Sequence, residues 1–204
     1  MPNLLESKGS ASNLLTLLDG VGVQSDMYYW RCVMGLLEIR IYPDPVLRKV
    51  AEPVVSFDES LDRLVRDMAE TMYSAPGVGL AAPQVGVSRR VVVIDVNSPR
   101  RESLIVLVNP EIVEREGEIT WSEGCLSFPD IHTDVIRARK VTVRAQDTSG
   151  APLTLVGEDL LAVAMQHELG HLDGRLLIDG MSLIDRALLR RKMTRRAIEA
   201  AKPV

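Results

Sequence analysis

"QHELGHLDG", residues 166–174, carries two of the chain's three histidines, four residues apart, with a glutamate beside the first. Residues four apart on an α-helix share a face, so His167 and His171 can reach one ion while Glu168 stands next to it. This is the HExxH pattern, with two imidazoles as ligands and a glutamate as general base for a water molecule. Two unrelated histidines near a helix end are the weaker alternative. Gly170 is odd in such a helix, because glycine there costs about 0.5–1 kcal/mol relative to alanine. Something must compensate for it or require it.

Working outward, "LLAVAMQHELGHL" extends this helix back to a start near residues 157–159. Upstream, "SFDESLDRLVRDMAETMYSA" repeats apolar residues at Leu61, Leu64, Val65, Met68 and Met72. It predicts an amphipathic helix capped by Ser56 or Asp58 and ended by Pro76 and Gly77. Between the two helices, "RRVVVIDV", "LIVLVNPEIV", "EIT", "DVIRARKVTVRAQD" and "PLTLV" read as strands, with "QDTSGAP" as a hairpin turn. A last helix covers "LIDRALLRRKMTRRAIEAA". The order lacks βαβ alternation, which predicts an α+β fold: antiparallel sheets packed around a central HExxH-bearing helix, with a C-terminal helix.

The chain has 204 residues, 46% of them hydrophobic, enough for one core. Its net charge of −4 gives no reason to expect DNA as a partner. No stretch approaches the roughly 18–20 apolar residues of a membrane span. The two cysteines, Cys32 and Cys125, are too few for a disulfide framework and fit a reducing, cytoplasmic compartment. Residues 1–33 resemble neither a secretory signal nor a transit peptide. They are expected to form a loosely ordered N-terminal extension of unknown role, with a compact domain over residues 34–204.

Two imidazoles do not complete a catalytic site, which usually takes three protein ligands and a water. The HExxHxxGxxH continuation fails, since Leu177 stands where a third histidine belongs. Glu199 lies near the terminus of a basic helix and is a poor candidate. His132 and Cys125 remain, and Cys125 is the better, in what reads as an irregular, Gly-containing segment, "WSEGCLSFPD", between strands. "GVGLAAPQVG" (77–86) loosely matches a dinucleotide fingerprint, but a helix precedes it and a strand follows, the reverse of what that motif needs. A Gly-rich strand whose backbone approaches a substrate is the better reading, with Gln84 directed inward.

"GVGLAAPQVG" (77–86), "EGCLS" (123–127) and "QHELGHLDG" (166–174) together resemble the three motifs of the peptide deformylase family, and "YPDPVLRKVAEPV" resembles its usual start. The resemblance covers about residues 37–185. It implies a metal-dependent hydrolase that removes the formyl group from the N-terminal formylmethionine of nascent polypeptides and releases formate. It makes residues 34–204 the catalytic domain, and an extended peptide pairing along the first motif is implied. Cys125, His167 and His171 would hold the metal, with Glu168 as base and then acid. The backbone N–H of Leu126 and the amide of Gln84 would stabilise the developing oxyanion. Substrate-binding positions would be Val78, Gly79, Trp121, Glu123, Gly124, Leu160, Val163 and Ala164, most of them apolar as a methionine side chain requires. The implied metal is Fe²⁺, one ion per chain, with Zn²⁺ or Ni²⁺ able to substitute.

Two positions depart from the family. Many members are acidic where this chain has Gly170, and the resemblance implies that Arg137 loses a carboxylate partner here. Some members carry a substrate-touching arginine where this chain has His132. The basic residues Arg186, Arg190, Arg191, Lys192, Arg195, Arg196 and Lys202 read either as a solvated helix face or as a surface that docks on the ribosome. A non-catalytic metal-bound, peptide-binding relative is the alternative from another class. Intact Glu168, Gln84 and Cys125 argue against it. A zinc peptidase would need a third ligand other than Cys125.

Overall fold

The structure is a computed structural model and describes residues 35–97 and 103–200. The expected extension over residues 1–33 lies outside the described residues. Helix α1 (Glu59–Ser74) is followed by strands β1 (Gly79–Ala81), β2 (Val91–Ile94), β3 (Ile105–Glu116), β4 (Ile119–Cys125), β5 (Phe128–Arg137), β6 (Lys140–Gln146) and β7 (Pro152–Glu158). Helices α2 (Asp159–Leu172) and α3 (Leu183–Ala200) close the chain. Five strands form one antiparallel sheet in the order β1-β2-β3-β6-β7, and β4 and β5 form a separate two-stranded sheet. The predicted α+β class holds, with α2 packed on the five-stranded sheet.

The larger sheet lies between two helices, and the alternation of β2 shows how. Val91 and Val93 point to α1, where Leu61, Val65, Met68 and Met72 repeat at helical spacing. Val92 and Ile94 point to α2 and meet Ala162, Met165, Leu169 and Leu172. A strand covered on both faces reads as an unbroken apolar run, which is why "VVVI" carries no polar residue. Asp58 caps α1, its carboxylate accepting from the N–H groups of Ser60 and Leu61. Helix α2 has no solvent face over most of its length, so it reads apolar nearly all round.

Two expectations are corrected. "WSEGC" is not irregular: it is the end of β4, and a register shift between Gly124 and Cys125 leads into a tight turn to Phe128. "DVIRARKVTVRAQD" is not one strand but two, β5 and β6, in different sheets. The break at Ala138 has a cause on α2. The Gln166 amide accepts from the Ala138 N–H at 3.0 Å and donates to the Ala138 carbonyl at 2.8 Å. That side chain thus takes both backbone groups that a continuing ladder would use.

Helix α2 ends where the motif does. Gly174 has φ of 69°, and a Cβ there would lie 2.5 Å from the Arg48 carbonyl oxygen. Only glycine meets both conditions. Ala51 N–H also bonds to the Leu172 carbonyl at 2.8 Å, so the entry segment is stitched along the end of α2. A third cluster, with Tyr42 stacked on Phe128 at 5.0 Å and joined by Leu47, Leu189 and Met193, seats α3 under the β4–β5 turn.

Candidate metal centre

His167 and His171 stand one turn apart on α2, and their Nε2 atoms lie 3.3 Å from each other. The β4–β5 turn brings Cys125 Sγ to 3.3 Å from His171 Nε2. The three donor atoms lie within 4.8 Å of one another. A thiolate and two imidazoles converging at this spacing form the donor set of a borderline or soft divalent cation. Cys125 is therefore the third member left open by the sequence. His132 is exposed and stands over Gly124, its Nε2 3.0 Å from where a Gly124 Cβ would sit, and it does not join the group. Glu199 pairs with Arg195 on α3 and is likewise no part of it.

The surroundings fix which nitrogen faces inward. Glu123 Oε2 lies 2.8 Å from His167 Nδ1, which assigns the proton to Nδ1 and leaves Nε2 free to ligate. Glu123 is itself held by Arg137, Nε to Oε1 at 2.7 Å and Nη2 to Oε2 at 2.9 Å. Burial would raise the Glu123 carboxyl, but the contacts with Arg137 and His167 outweigh it and hold the group at about 2. Burial likewise lowers both imidazoles. His171 stays well below the usual histidine value, with the charge of His167 adding to the effect. For His167 the hydrogen bonds to Cys125 and Glu123 prevail and raise it well above.

The expectation that Arg137 lacks a partner is thus corrected. Glu123 also lines the cavity beside the donors, and its carboxylate is engaged by Arg137 and His167. The pairing is a matter of strand register. Glu123 faces Thr133, Ile119 faces Arg137, and all four share one face of the β4–β5 sheet, within reach of an arginine side chain.

Glu168 is 5% exposed, and its Oε2 has no hydrogen-bond partner. Burial pushes its carboxyl up to about 7, the nearby His167 opposes this, and Glu123 adds to it. Its neighbour is Gly79 on β1. A Cβ on Gly79 would overlap the carboxylate, lying 2.8 Å from both Cγ and Cδ of Glu168. Gly79→Ala is therefore expected to displace Glu168 while leaving the metal ligands in place. A misplacement of this kind costs roughly 10²-fold in turnover. Steady-state kinetics beside metal analysis would check it, and an active Gly79→Ala enzyme would show that Glu168 has room to move.

Gln84 is buried in a short 3₁₀ turn, Ala82–Val85, directly after β1. Its Oε1 accepts from the Ala81 N–H at 2.8 Å. Its Nε2 must therefore point the other way, toward Ser127 Oγ at 3.4 Å and Cys125 Sγ at 3.6 Å. Gln84 and Cys125 line a cavity of about 640 Å³. Val78, Gly79, Trp121, Glu123, Gly124, Leu160, Val163 and Ala164, the positions expected from the sequence, line it together with Leu126. Sequence reasoning missed Ile39 and Ile41, which also line it and arrive from the entry segment. A short alternation of apolar residues just before a proline-rich turn was the only signal for them.

The polypeptide deformylase family model matches residues 36–187. A peptide deformylase from Alkalilimnicola ehrlichii is 50% identical over 160 residues, 78% of this chain and 90% of that protein. One from Acidobacterium capsulatum is 53% identical over 153 residues, 74% of this chain and 90% of that protein. Among solved structures, a peptide deformylase from Legionella pneumophila superposes with a TM-score of 0.77 at 49% identity, over 82% of this chain and 99% of that one. Another, from Synechococcus elongatus in complex with actinonin, gives 0.72 at 38% identity, over 82% of this chain and 92% of that one.

Proposed function

From the premise that this chain belongs to the polypeptide deformylase family, we propose that it removes the formyl group from the N-terminal formylmethionine of nascent polypeptides and releases formate. One observation carries this reading. Three metal donors converge, and two of them, Cys125 and His167, line with a buried carboxylate and an inward amide a single apolar cavity large enough for a methionyl peptide. The residues fit a divalent cation, since three donors converge and His167 is oriented by Glu123. When bound, the ion supplies Lewis acidity and brings the pKa of a water toward neutrality.

The chain's own groups do the rest. Glu168 takes the proton of the attacking water and passes it to the leaving amine, and a carboxyl held near 7 can do both at neutral pH. Gln84 Nε2 and the Leu126 N–H donate to the oxygen of the attacked formyl carbonyl. The outer edge of β1 offers Gly79 to the peptide backbone. Val78, Trp121, Leu160, Val163 and Ala164 take the methionine side chain. We propose Fe²⁺ as the native ion, one per chain, with Zn²⁺ or Ni²⁺ able to replace it, a choice compatible with one thiolate and two imidazoles.

Residues 1–33 would be an extension to the catalytic domain, and the cytoplasm the site of action. No helix of the described residues is long and apolar enough to cross a membrane. Helix α3 would dock on the ribosome through Arg190, Arg191 and Lys192, which project from its exposed side, whereas Arg196 is occupied by Asp130 and the Pro129 carbonyl. Intact Glu168, Gln84 and Cys125 around one cavity leave the non-catalytic alternative without support.

The test is formate release from formyl-Met-Ala-Ser by protein purified anaerobically with Fe²⁺, beside acetyl-Met-Ala-Ser and a metal-chelated sample. Formate is expected from the first, no acetate from the second and no formate from the third. A metal-loaded enzyme that releases none would end the proposal.

A further inference from the structure

Gln166 stands immediately before the first histidine donor on α2 and is buried, after a turn of the helix, Ala162–Met165, that is wholly apolar. A buried amide is tolerated when its hydrogen-bonding groups find partners. Here Oε1 accepts from the Ala138 N–H at 3.0 Å, and Nε2 donates to the Ala138 carbonyl at 2.8 Å and to the Ala162 carbonyl at 2.9 Å. Both Nε2 hydrogens are thus spent. The side chain is tied to its own helix and across to the junction between β5 and β6.

What this clamp holds bears on the metal donors. Ala138 follows Arg137, whose Nε and Nη2 donate to Glu123 at 2.7 and 2.9 Å. Glu123 in turn accepts the Nδ1 proton of His167 at 2.8 Å, and His167 follows Gln166. Gln166, Ala138, Arg137, Glu123 and His167 therefore close a ring of hydrogen bonds and peptide links. The ring spans the two pieces that bring the donors together: α2, with His167 and His171, and the β4–β5 sheet, with Cys125 at the end of β4. The junction has another attachment to α2, from the Asp159 N–H to the Arg139 carbonyl at 2.9 Å, so it stays on the helix when Gln166 is replaced.

We propose that Gln166 is a positioning residue of the metal centre: by holding Ala138 it fixes the point from which Arg137 reaches Glu123, and so how firmly His167 is presented to the ion. An outer partner that orients a ligating histidine governs metal affinity, and Gln166 acts on that partner from behind. The proposal rests on the three-ligand assignment and not on any substrate. It is therefore read by metal retention rather than by turnover, and it stands apart from whether formate is released.

The experiment follows zinc leaving the zinc-loaded full chain for a chelator, in the parent, in Gln166→Met, in Glu123→Ala and in the double variant. Gln166→Met keeps the length of the side chain and loses both bonds to Ala138. It is expected to quicken release by roughly tenfold, the lower end of what an outer partner of a ligand contributes. Glu123→Ala lacks the contact through which Gln166 acts, so adding Gln166→Met to it should change release by less than about twofold. An unchanged rate in Gln166→Met overturns the proposal. So does a tenfold effect that recurs undiminished in the double variant, because Gln166 would then serve packing alone. A spectroscopic readout is independent of release: the His167 Nδ1–H resonance of the zinc protein should shift and exchange faster with solvent in Gln166→Met, and an unmoved resonance overturns the proposal as well. If Gln166→Met does not fold, Gln166→Asn, which keeps the amide but withdraws it by one methylene, is read in the same way with the same outcomes.

Discussion

Glu168→Gln is expected to lower kcat/KM for formyl-Met-Ala-Ser by roughly 10²–10⁴-fold, the range of a lost general base, with metal content unchanged. The substitution keeps the shape that fills the space left by Gly79, so the close packing of α2 on β1 is preserved. It also keeps both histidines on their helix. What it removes is a buried carboxyl able to accept a proton and hold it near neutrality. The Glu168 carboxyl owes that capacity to burial, which pushes it to about 7, and an amide has no such function at any pH. Kinetics and metal analysis on one preparation decide the matter. A variant within a few-fold of the parent would move the base elsewhere, and a variant that lost metal in proportion to activity would make Glu168 a structural residue.

Glu123→Ala is expected to act on the metal and on the fold together. Metal affinity should fall by about 10–100-fold, because His167 loses the acceptor that fixes its ring and tautomer. The melting temperature should fall as well, because Arg137 loses both of its hydrogen bonds to Glu123. Removing one member of a buried pair costs about 3–5 kcal/mol. Arg137 keeps a side-chain exposure of 24%, which places the cost toward the lower end. The pH dependence has a definite sign. The Glu123 carboxyl is depressed from 4.5 to about 2, so its stabilisation is complete above about pH 4.5 and is lost as the pH falls toward 2. The gap in melting temperature between parent and variant should therefore be constant near neutrality and close below that point. Competition for metal against a chelator, with thermal unfolding across that range, measures both. A variant that binds metal as tightly as the parent would leave Glu123 without its orienting role.

The sequence made the helices legible because each carries its own period: Leu61, Val65, Met68 and Met72 mark the buried side of α1, and His167 and His171 share a face of α2. The apolar run of β2 was equally plain. What could not be read was anything decided by a partner distant in the chain. Ala138 breaks a run that looks like one strand, and the reason is an amide on Gln166, 28 residues away. Cys125 outranks His132 as the third donor only because the β4–β5 turn places one sulfur near α2 and leaves the imidazole over Gly124. Arg137 looked unpartnered because its contact with Glu123 depends on strand register, and a slip of one residue would have put the two on opposite faces. The three motifs recovered the site at the level of the family, whereas Gly170 marks a departure from many of its members.

Strand β1 is three residues long and stands at the edge of its sheet, with β2 on one side and the substrate cavity on the other. An edge of this kind offers amide and carbonyl groups, and what they would recognise in a peptide paired along β1 is main chain, the part of a polypeptide that does not vary from one protein to the next. An enzyme that must serve every newly made chain gains from such indifference. Discrimination then falls to the first side chain and to the size of the acyl group, while everything downstream is read only as backbone. Breadth across a whole proteome would thus come from the edge of β1, and strictness at a single end from the pocket beside it.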